Sequence, residues 1–297
     1  MAQSWIHPFE AAVVVLAKVE ATAGVDPVPT VADNAVLVTS VTLTPGIAVS
    51  KVVRRASRYR SDGVHVGARW WDITFRCPLA GPADPGAGAL LEPDCFALHR
   101  AAQWDIVGTG SPVSTLTANT DSDAAQKTYT IYVYMFKDCG IPELYIISGV
   151  VLSRKFVYPK DGEPYWEFAG SGLYAVPTNP GAITAPTYKH ATDQGLSRGA
   201  TLSVNSLPST LDDLTIDWPH EISPIGSKSA EFLVSGFRCD IMPPVITINP
   251  QHVLTSAYNL EALVNAMTDI DLSFAFPTLE GGLYTFNVNN ARYGKYS

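Results

Sequence analysis

Charge is scarce in this chain, and so are the residue patterns that assemble reactive centres. Only 16% of its 297 residues are Asp, Glu, Lys or Arg, and they leave a formal charge of −8. That surplus of acid disfavours a protein that grips nucleic acid by neutralising phosphates, which requires clustered Lys and Arg. Cysteine is limited to four residues, Cys77, Cys95, Cys139 and Cys239, with no CxxC or CxxxH pair among them. Structural zinc and a dense disulfide framework are both poorly supported, and buried thiols are the expectation. No P-loop, HExxH, GxGxxG or GxSxG motif is present. The apolar run Ala11 to Ala17 follows Glu10, ends at Lys18 and is too short to cross a bilayer. It lacks the basic start of a secretory signal, so the chain is expected to be made and assembled in the cytoplasm.

Apolar and turn-forming residues are plentiful. With 46% hydrophobic residues, 13 Tyr, 11 Phe, 22 Gly and 22 Pro, the composition fits a folded, mainly β body rich in turns. Its best-specified stretch is Thr128 to Tyr174: a strand TYTIYVYMF, a second strand ELYIISGVVL, and a hairpin closed at Pro159-Lys160-Asp161-Gly162 into YWEFAGSGLY. The apolar segment through Val13 to Val15 leans toward an extended N-terminal arm, stopped by Gly24, Pro27 and Pro29. VLVTSVTLTPG (Val36 to Gly46) alternates apolar and Thr/Ser positions, as a half-buried strand does. Arg69 to Leu79 reads as another strand. Beyond it, Pro93 at a first helical position is followed by Cys95, Leu98, His99 and Ala102 on one helical face. His99 there reads as a packed histidine, because no ligand partner stands at a suitable spacing. GSPVSTLTANTDSDAAQK reads as a polar loop.

The second half restarts the order of elements. ATLSVNSLP resembles SVTLTP, and Phe-Arg-Cys occurs at 75–77 and again at 237–239, each followed after roughly sixteen residues by a helical pattern, the second being YNLEALVNAM. The expected architecture is therefore a β-sandwich or barrel with a flanking α-helix, duplicated within the chain. Its units would be 1–180, with the N-terminal arm, and 181–297, the two able to interlock into one body.

Between Gly46 and Gly67, Lys51, Arg54, Arg55, Arg58 and Arg60 gather a large share of the positive charge. The segment reads either as a solvated loop or as an arm that docks on an acidic surface of a neighbouring subunit, since complementary charge sets register and partner choice. Other chemistry finds little support. Ser171 between two glycines suits close packing better than nucleophilic attack. Asp121-Ser122-Asp123 lacks the later residues of a calcium loop. Asp212/Asp213 and Asp269/Asp271 are the carboxylate pairs that a glycosidase would need, and are expected to be surface acids. His7, His65, His190, His220 and His252 are scattered singly. No catalytic, cofactor or metal residues are expected, and no enzymatic activity. Trp70, Trp71, Trp104 and Trp166 raise an alternative, a secreted carbohydrate-binding β-sandwich stacking sugars on indole rings. The missing signal and disulfides weigh against it.

Several segments resemble the bacteriophage tail tube, or major tail, protein family. LAKVEATAGVDPVPTVADNAVLVTSVTLTP (Leu16 to Pro45) is similar to the family's opening, with Lys-x-Glu and Gly-x-Asp-Pro leading into the first tube strand. TFRCPLAG is similar to the next block, and SGVVLSRKFVYPKDGEPYWEFAGSGLY (Ser148 to Tyr174) carries the strongest likeness; CDIMPPVITINPQ also fits. The resemblance implies a virion structural protein, built in the host cytoplasm, whose sheets join into an inner barrel and whose rings stack into a tube. That tube would enclose the tape-measure protein, meet tail terminator and distal tail proteins, and later pass DNA without specific binding. If the two halves are true repeats, three copies would make a pseudo-six-fold ring; otherwise six copies would. Acids are expected to outnumber bases on the lumen wall, so that phosphate is repelled, with the Lys51 to Arg60 segment directed at the next ring.

Overall fold

The computed structural model describes residues 13–56, 59–81, 95–108, 114–118, 127–136, 142–188, 193–194, 200–204, 207–209, 211–230, 232–250, 269–277 and 283–291. Strands dominate from the start: β1 (Val13–Val19), β2 (Ala35–Val36), β3 (Ser40–Ala56), β4 (Tyr59–Pro78) and β5 (Ala80–Gly81) precede a short helix, α1 (Phe96–Ala101). β6 (Trp104–Gly108), β7 (Ser114–Ala118), β8 (Tyr129–Phe136), β9 (Pro142–Tyr158), β10 (Tyr165–Leu173) and β11 (Asp193–Gln194) follow. The remainder is β12 (Thr201–Val204), β13 (Leu207–Ser209), β14 (Leu211–Trp218), β15 (His220–Gly226), β16 (Val234–Ile241), β17 (Val245–Pro250), β18 (Ile270–Pro277) and β19 (Leu283–Ala291). The fold is mainly antiparallel β, as the composition implied.

β9 organises the whole. Its first half pairs with β8, which pairs in turn with β1 and β2, forming one leaf. Its second half lies between β10 and β14, and belongs to a leaf of order β3-β4-β10-β9-β14-β17. The switch falls at Gly149, whose φ of +62° suits glycine, beside a register shift between Tyr129 and Ile131 on β8. A strand that changes sheets through a bulge is how two leaves share a corner. Both leaves turn apolar faces to one core, with Val15, Ile131 and Val133 from the first meeting Phe75, Phe168 and Phe156 from the second. α1 contributes Leu98 and Ala101, and the β13-β12-β18-β19 sheet contributes Leu202, Phe274 and Phe276. Fully burying each such large side chain stabilises the fold by about 1.5–3 kcal/mol.

Several expectations need correcting. Val13 to Val19 is an inner strand, bonded to β2 on one side and β8 on the other, because its apolar faces are both covered. β8 lies beside it, and Tyr132 and Tyr134, on the face away from the main core, are covered by Val31, Ile183 and Tyr188 of the same chain. Part of the polar segment after residue 109 is a strand, β7, which closes a hairpin with β6. The helical pattern of YNLEALVNAM, like Cys139, Arg58 and Asp121-Ser122-Asp123, lies outside the described residues.

The two Phe-Arg-Cys strands are paired differently. β4 sits between β3 and β10 in the large sheet, whereas β16 pairs with β15 in a two-stranded sheet. β3 bonds directly to β4, but β12 bonds to β13 and β18. The halves also share one sheet, through the β14–β9 pairing of Leu214 with Tyr158 to Trp218 with Arg154.

Candidate assembly surfaces

The segment between Gly46 and Gly67, read as a solvated loop or as an arm, is a β-ribbon. β3 and β4 stay paired from Ser40↔Arg76 out to Ala56↔Tyr59, placing Lys51 opposite Val64, Arg54 opposite Ser61 and Arg55 opposite Arg60. β10 accompanies β4 only from Pro78 to Trp70. Beyond Arg69 the ribbon has no strand beside it among the described residues, and at about 3.4 Å per residue it projects roughly 35 Å. It leaves the sheet at a bulge between Ile47 and Val49, which bends it. A Cβ on Gly46 would overlap the Trp70 indole at 2.1 Å, so glycine is required where ribbon and sheet meet. Charge hid this ribbon in the sequence: its run of Lys and Arg interrupts the apolar alternation by which a half-buried strand is read.

The six-strand leaf turns Ile73, Phe75, Phe168 and Ile216 inward. Its opposite face is polar, as the two-residue period requires. One row crosses it at right angles to the strands: Ser40, Arg76, Glu167, Lys155, Asp217, Val245. The four charged positions alternate in sign, and Arg76 Nε lies 3.1 Å from Glu167 Oε2. Favourable cross-strand pairs of this kind help hold register. Asp72 accepts from Ser171 Oγ at 2.7 Å and from Trp70 Nε1 at 2.9 Å, so Ser171 is a sheet-packing hydroxyl tied to a carboxylate. Asp213 accepts from Asn249 Nδ2 at 3.1 Å. On this face Asp72, Glu167, Asp213 and Asp217 face two bases, Arg76 and Lys155. The β15–β16 ribbon covers one end, packing Val234 and Phe237 on Val151 and Trp70.

The segment that follows β1 is a clamp on the strand switch. Glu20, 7% exposed, accepts from Thr128 Oγ1 and Thr130 Oγ1, both at 2.6 Å, from Gly24 N at 2.6 Å and from Gly149 N at 2.7 Å. Hydrogen bonds to an ionised acceptor are the stronger kind. Lys18 Nζ donates to Pro27 O at 3.0 Å, and Asp26 accepts from Val28 N at 2.8 Å and from the Tyr132 hydroxyl. Burial and the Asp26 carboxylate push the Tyr132 phenol well above its ordinary pKa. The Lys-x-Glu and Gly-x-Asp-Pro residues thus fasten one loop to the corner of the fold.

The residue least visible in the sequence is Arg154. It is 2% exposed, on the core side of β9, with its guanidinium carbon 3.4 Å from the Trp104 ring centre, 4.2 Å from Trp218 and 5.3 Å from Trp166. Nη1 lies 3.2 Å from His99 Nδ1. Arginine must be the donor, so His99 carries its own hydrogen on Nε2. His99 stands edge-on to Trp166 and Phe168. Burial first, then Arg154, holds the imidazole pKa well below its usual value, so it is neutral. Burial also pulls the arginine pKa down, opposed by Cys95, while the indole faces support the cation. Arg154 Nε and His99 Nε2 are buried without hydrogen-bond partners among the described residues. The signal was present: Leu152, Arg154, Phe156 and Tyr158 share one face at period two, which marks the arginine as core-facing.

The remaining candidates do not converge. Lys160 Nζ lies 3.0 Å from Asp212, and among the described residues no three His, Cys, Asp or Glu side chains are grouped to hold a metal. His220 Nδ1 sits 2.9 Å from Leu152 O. Asp269 and Asp271 are exposed, and Cys77 and Cys95 are buried thiols. Trp71 and Trp166 are core, Trp104 is packed on Arg154 and Trp218, and Trp70 is half-buried with its N–H donated. These four indoles therefore form no open stacking platform. A groove of about 430 Å³ lies beside Arg69, Tyr174 and Phe232. No protein-family model matches the chain, and no curated protein matches it in sequence.

Proposed function

We propose that this chain is a structural virion protein that polymerises into stacked rings, forming a phage tail tube that encloses a tape-measure protein and conducts the genome passively. The reading starts from the sequence resemblance, and one structural observation carries it: a six-strand leaf with an apolar inner face, a polar outer face and both edge strands, β3 and β17, unpaired on their outer sides among the described residues. Unpaired strand edges are templates for pairing with another chain. Pairing β3 of one copy with β17 of the next is a head-to-tail contact, which closes into a ring when the rotation per subunit allows. The polar face would line the lumen, its four acids and two bases repelling phosphate close to the wall and offering DNA no cationic surface to bind. The ribbon bearing Lys51, Arg54, Arg55 and Arg60 would reach the adjacent ring.

Negative-stain microscopy of the concentrated protein tests this directly. Rings or tubes with an open channel are expected, and the mass of a dissociated ring distinguishes three copies from six. Protein that sediments as a monomer at every concentration would overturn the reading, and glycan binding by that monomer would favour the sugar-binding alternative.

A further inference from the structure

The two ends of the six-strand leaf carry opposite charge. At one end, the turn between β9 and β10 meets the start of β14, because Tyr165 pairs with Val157 and Leu214 with Tyr158. Asp161, Glu163, Asp212 and Asp213 belong to these two segments, and Lys160 Nζ lies 3.0 Å from Asp212 Oδ2. Asp212 first, through its hydrogen bond, and then Asp161 and Asp213 raise the Lys160 pKa. Asp161 and Glu163 are exposed. Pro78 of β4 lies at this same end, opposite Tyr165. The other end of β4 is the ribbon tip at Tyr59, 20 residues and, at about 3.4 Å each, up to some 65 Å away. Residues 50–66 hold five bases and one acid, Asp62, for a net charge of +4 in a chain whose total is −8. The rest of the molecule is therefore more acidic than the total suggests, and the positive charge stands off along the strand direction.

A two-stranded ribbon without further cover is marginal in water. Beyond Arg69 this one has no further strand paired to it among the described residues, so cover from another chain would stabilise it. Its charge selects an acidic partner, and the chain supplies one at the far end of the same strands.

We infer that the ribbon of one copy docks on the acidic β9–β10 turn of a second copy, with Asp161 and Glu163 as its principal acceptors. The contact is head-to-tail along the strands, and it does not close on itself: every copy offers one free ribbon and one free acidic end, so growth continues in a line. The inference rests on the tube reading and names the surface that receives the ribbon. Because Asp161 and Glu163 are exposed, docking weakens as salt shortens the screening length below roughly 8 Å.

The test is a charge-reversal cycle read by electron microscopy and sedimentation. Asp161→Lys with Glu163→Lys, and separately Arg54→Glu with Arg55→Glu, are each expected to shorten axial assemblies at least about tenfold, and the fourfold variant to recover length. Circular dichroism matching the wild type controls for folding. Independently of any variant, carbodiimide treatment of wild-type assemblies is expected to join Lys51 to Asp161 or Glu163 between copies. Wild-type protein that stacks, with reversal at the turn leaving length unchanged and no such cross-link, overturns the docking surface while the tube reading stands. Wild-type protein that never assembles overturns both.

Discussion

Phe75-Arg76-Cys77 and Phe237-Arg238-Cys239 are one tripeptide in two environments. Phe75 is fully buried in the main core, where β4 has neighbours on both sides, and Cys77 is 1% exposed. Phe237 closes a small outer cluster with Val151 and Val234, and Cys239 is half-buried on a two-stranded sheet. Arg76 reaches across to Glu167 on the adjacent strand, whereas Arg238 pairs within its own strand, with Asp240 at 3.0 Å. Identical local chemistry therefore contributes to a core in one place and to a cover in the other. Pairing partners, set by residues far away in sequence, make the difference.

The widest expected contrast is in thiol reactivity. Cys239 should react with a maleimide about a thousandfold faster than Cys77, whose exposure requires core opening; equal rates measured by mass spectrometry would break the comparison. Next comes packing. Phe75→Ala should cost about 3–5 kcal/mol in urea unfolding, and Phe237→Ala about 1–3 kcal/mol, since its cluster is small and near the surface.

The seam that makes β4's environment can be probed at Gly149. Gly149→Ala should cost about 1–2 kcal/mol, the penalty of a side chain in the left-handed region, with Leu173 3.4 Å from the added carbon. No such loss is expected for Gly236→Ala on β16, where an added Cβ meets nothing within 4 Å.

The core behind β4 should also respond to acid. Burial holds the folded His99 pKa below its ordinary value of about 6.5, so below that pH the unfolded chain binds a proton that the native state refuses. Its contribution is present above about pH 6.5 and is lost as pH falls, by up to about 1.4 kcal/mol per unit. Burial lowers His220 too, in the same direction. Unfolding followed from pH 7.5 to 5 should therefore show a slope that His99→Gln reduces and does not abolish. The smallest effect belongs to the arginines: Arg76→Ala and Arg238→Ala should each cost no more than about 1 kcal/mol, because both pairs are solvent-exposed. A larger loss for Arg76 would show that its charge row acts as a unit.

Much of the strand content was legible locally. Thr128 to Tyr174 alternates and turns as β8, β9 and β10 do, and the proline-glycine turn after Tyr158 falls where hairpin chemistry puts it. The packed reading of His99 agrees with its ring contacts. The ribbon was not legible, since its run of Lys and Arg interrupts the alternation that marks a half-buried strand. Nor was the β7 hairpin, whose Ser/Thr-rich strand carries little apolar signal. Arg154 was overlooked because a charged residue in a strand ordinarily points to water, and only the distant Trp104 and Trp218 make a core position tolerable for it.

The order of residues by itself determined that this protein is mainly β, where several strands turn, which apolar side chains share a face along the alternating strands, and where its basic charge is concentrated. These follow from steric preference, two-residue alternation and composition, all local properties. Tertiary structure alone decided that β9 serves two leaves, that Glu20 clamps the switch, and that basic and acidic segments about a hundred residues apart occupy opposite ends of one sheet. Backbone hydrogen bonds are the same for every residue pair, so a strand does not name its neighbours; the partners are chosen when the whole core packs at once.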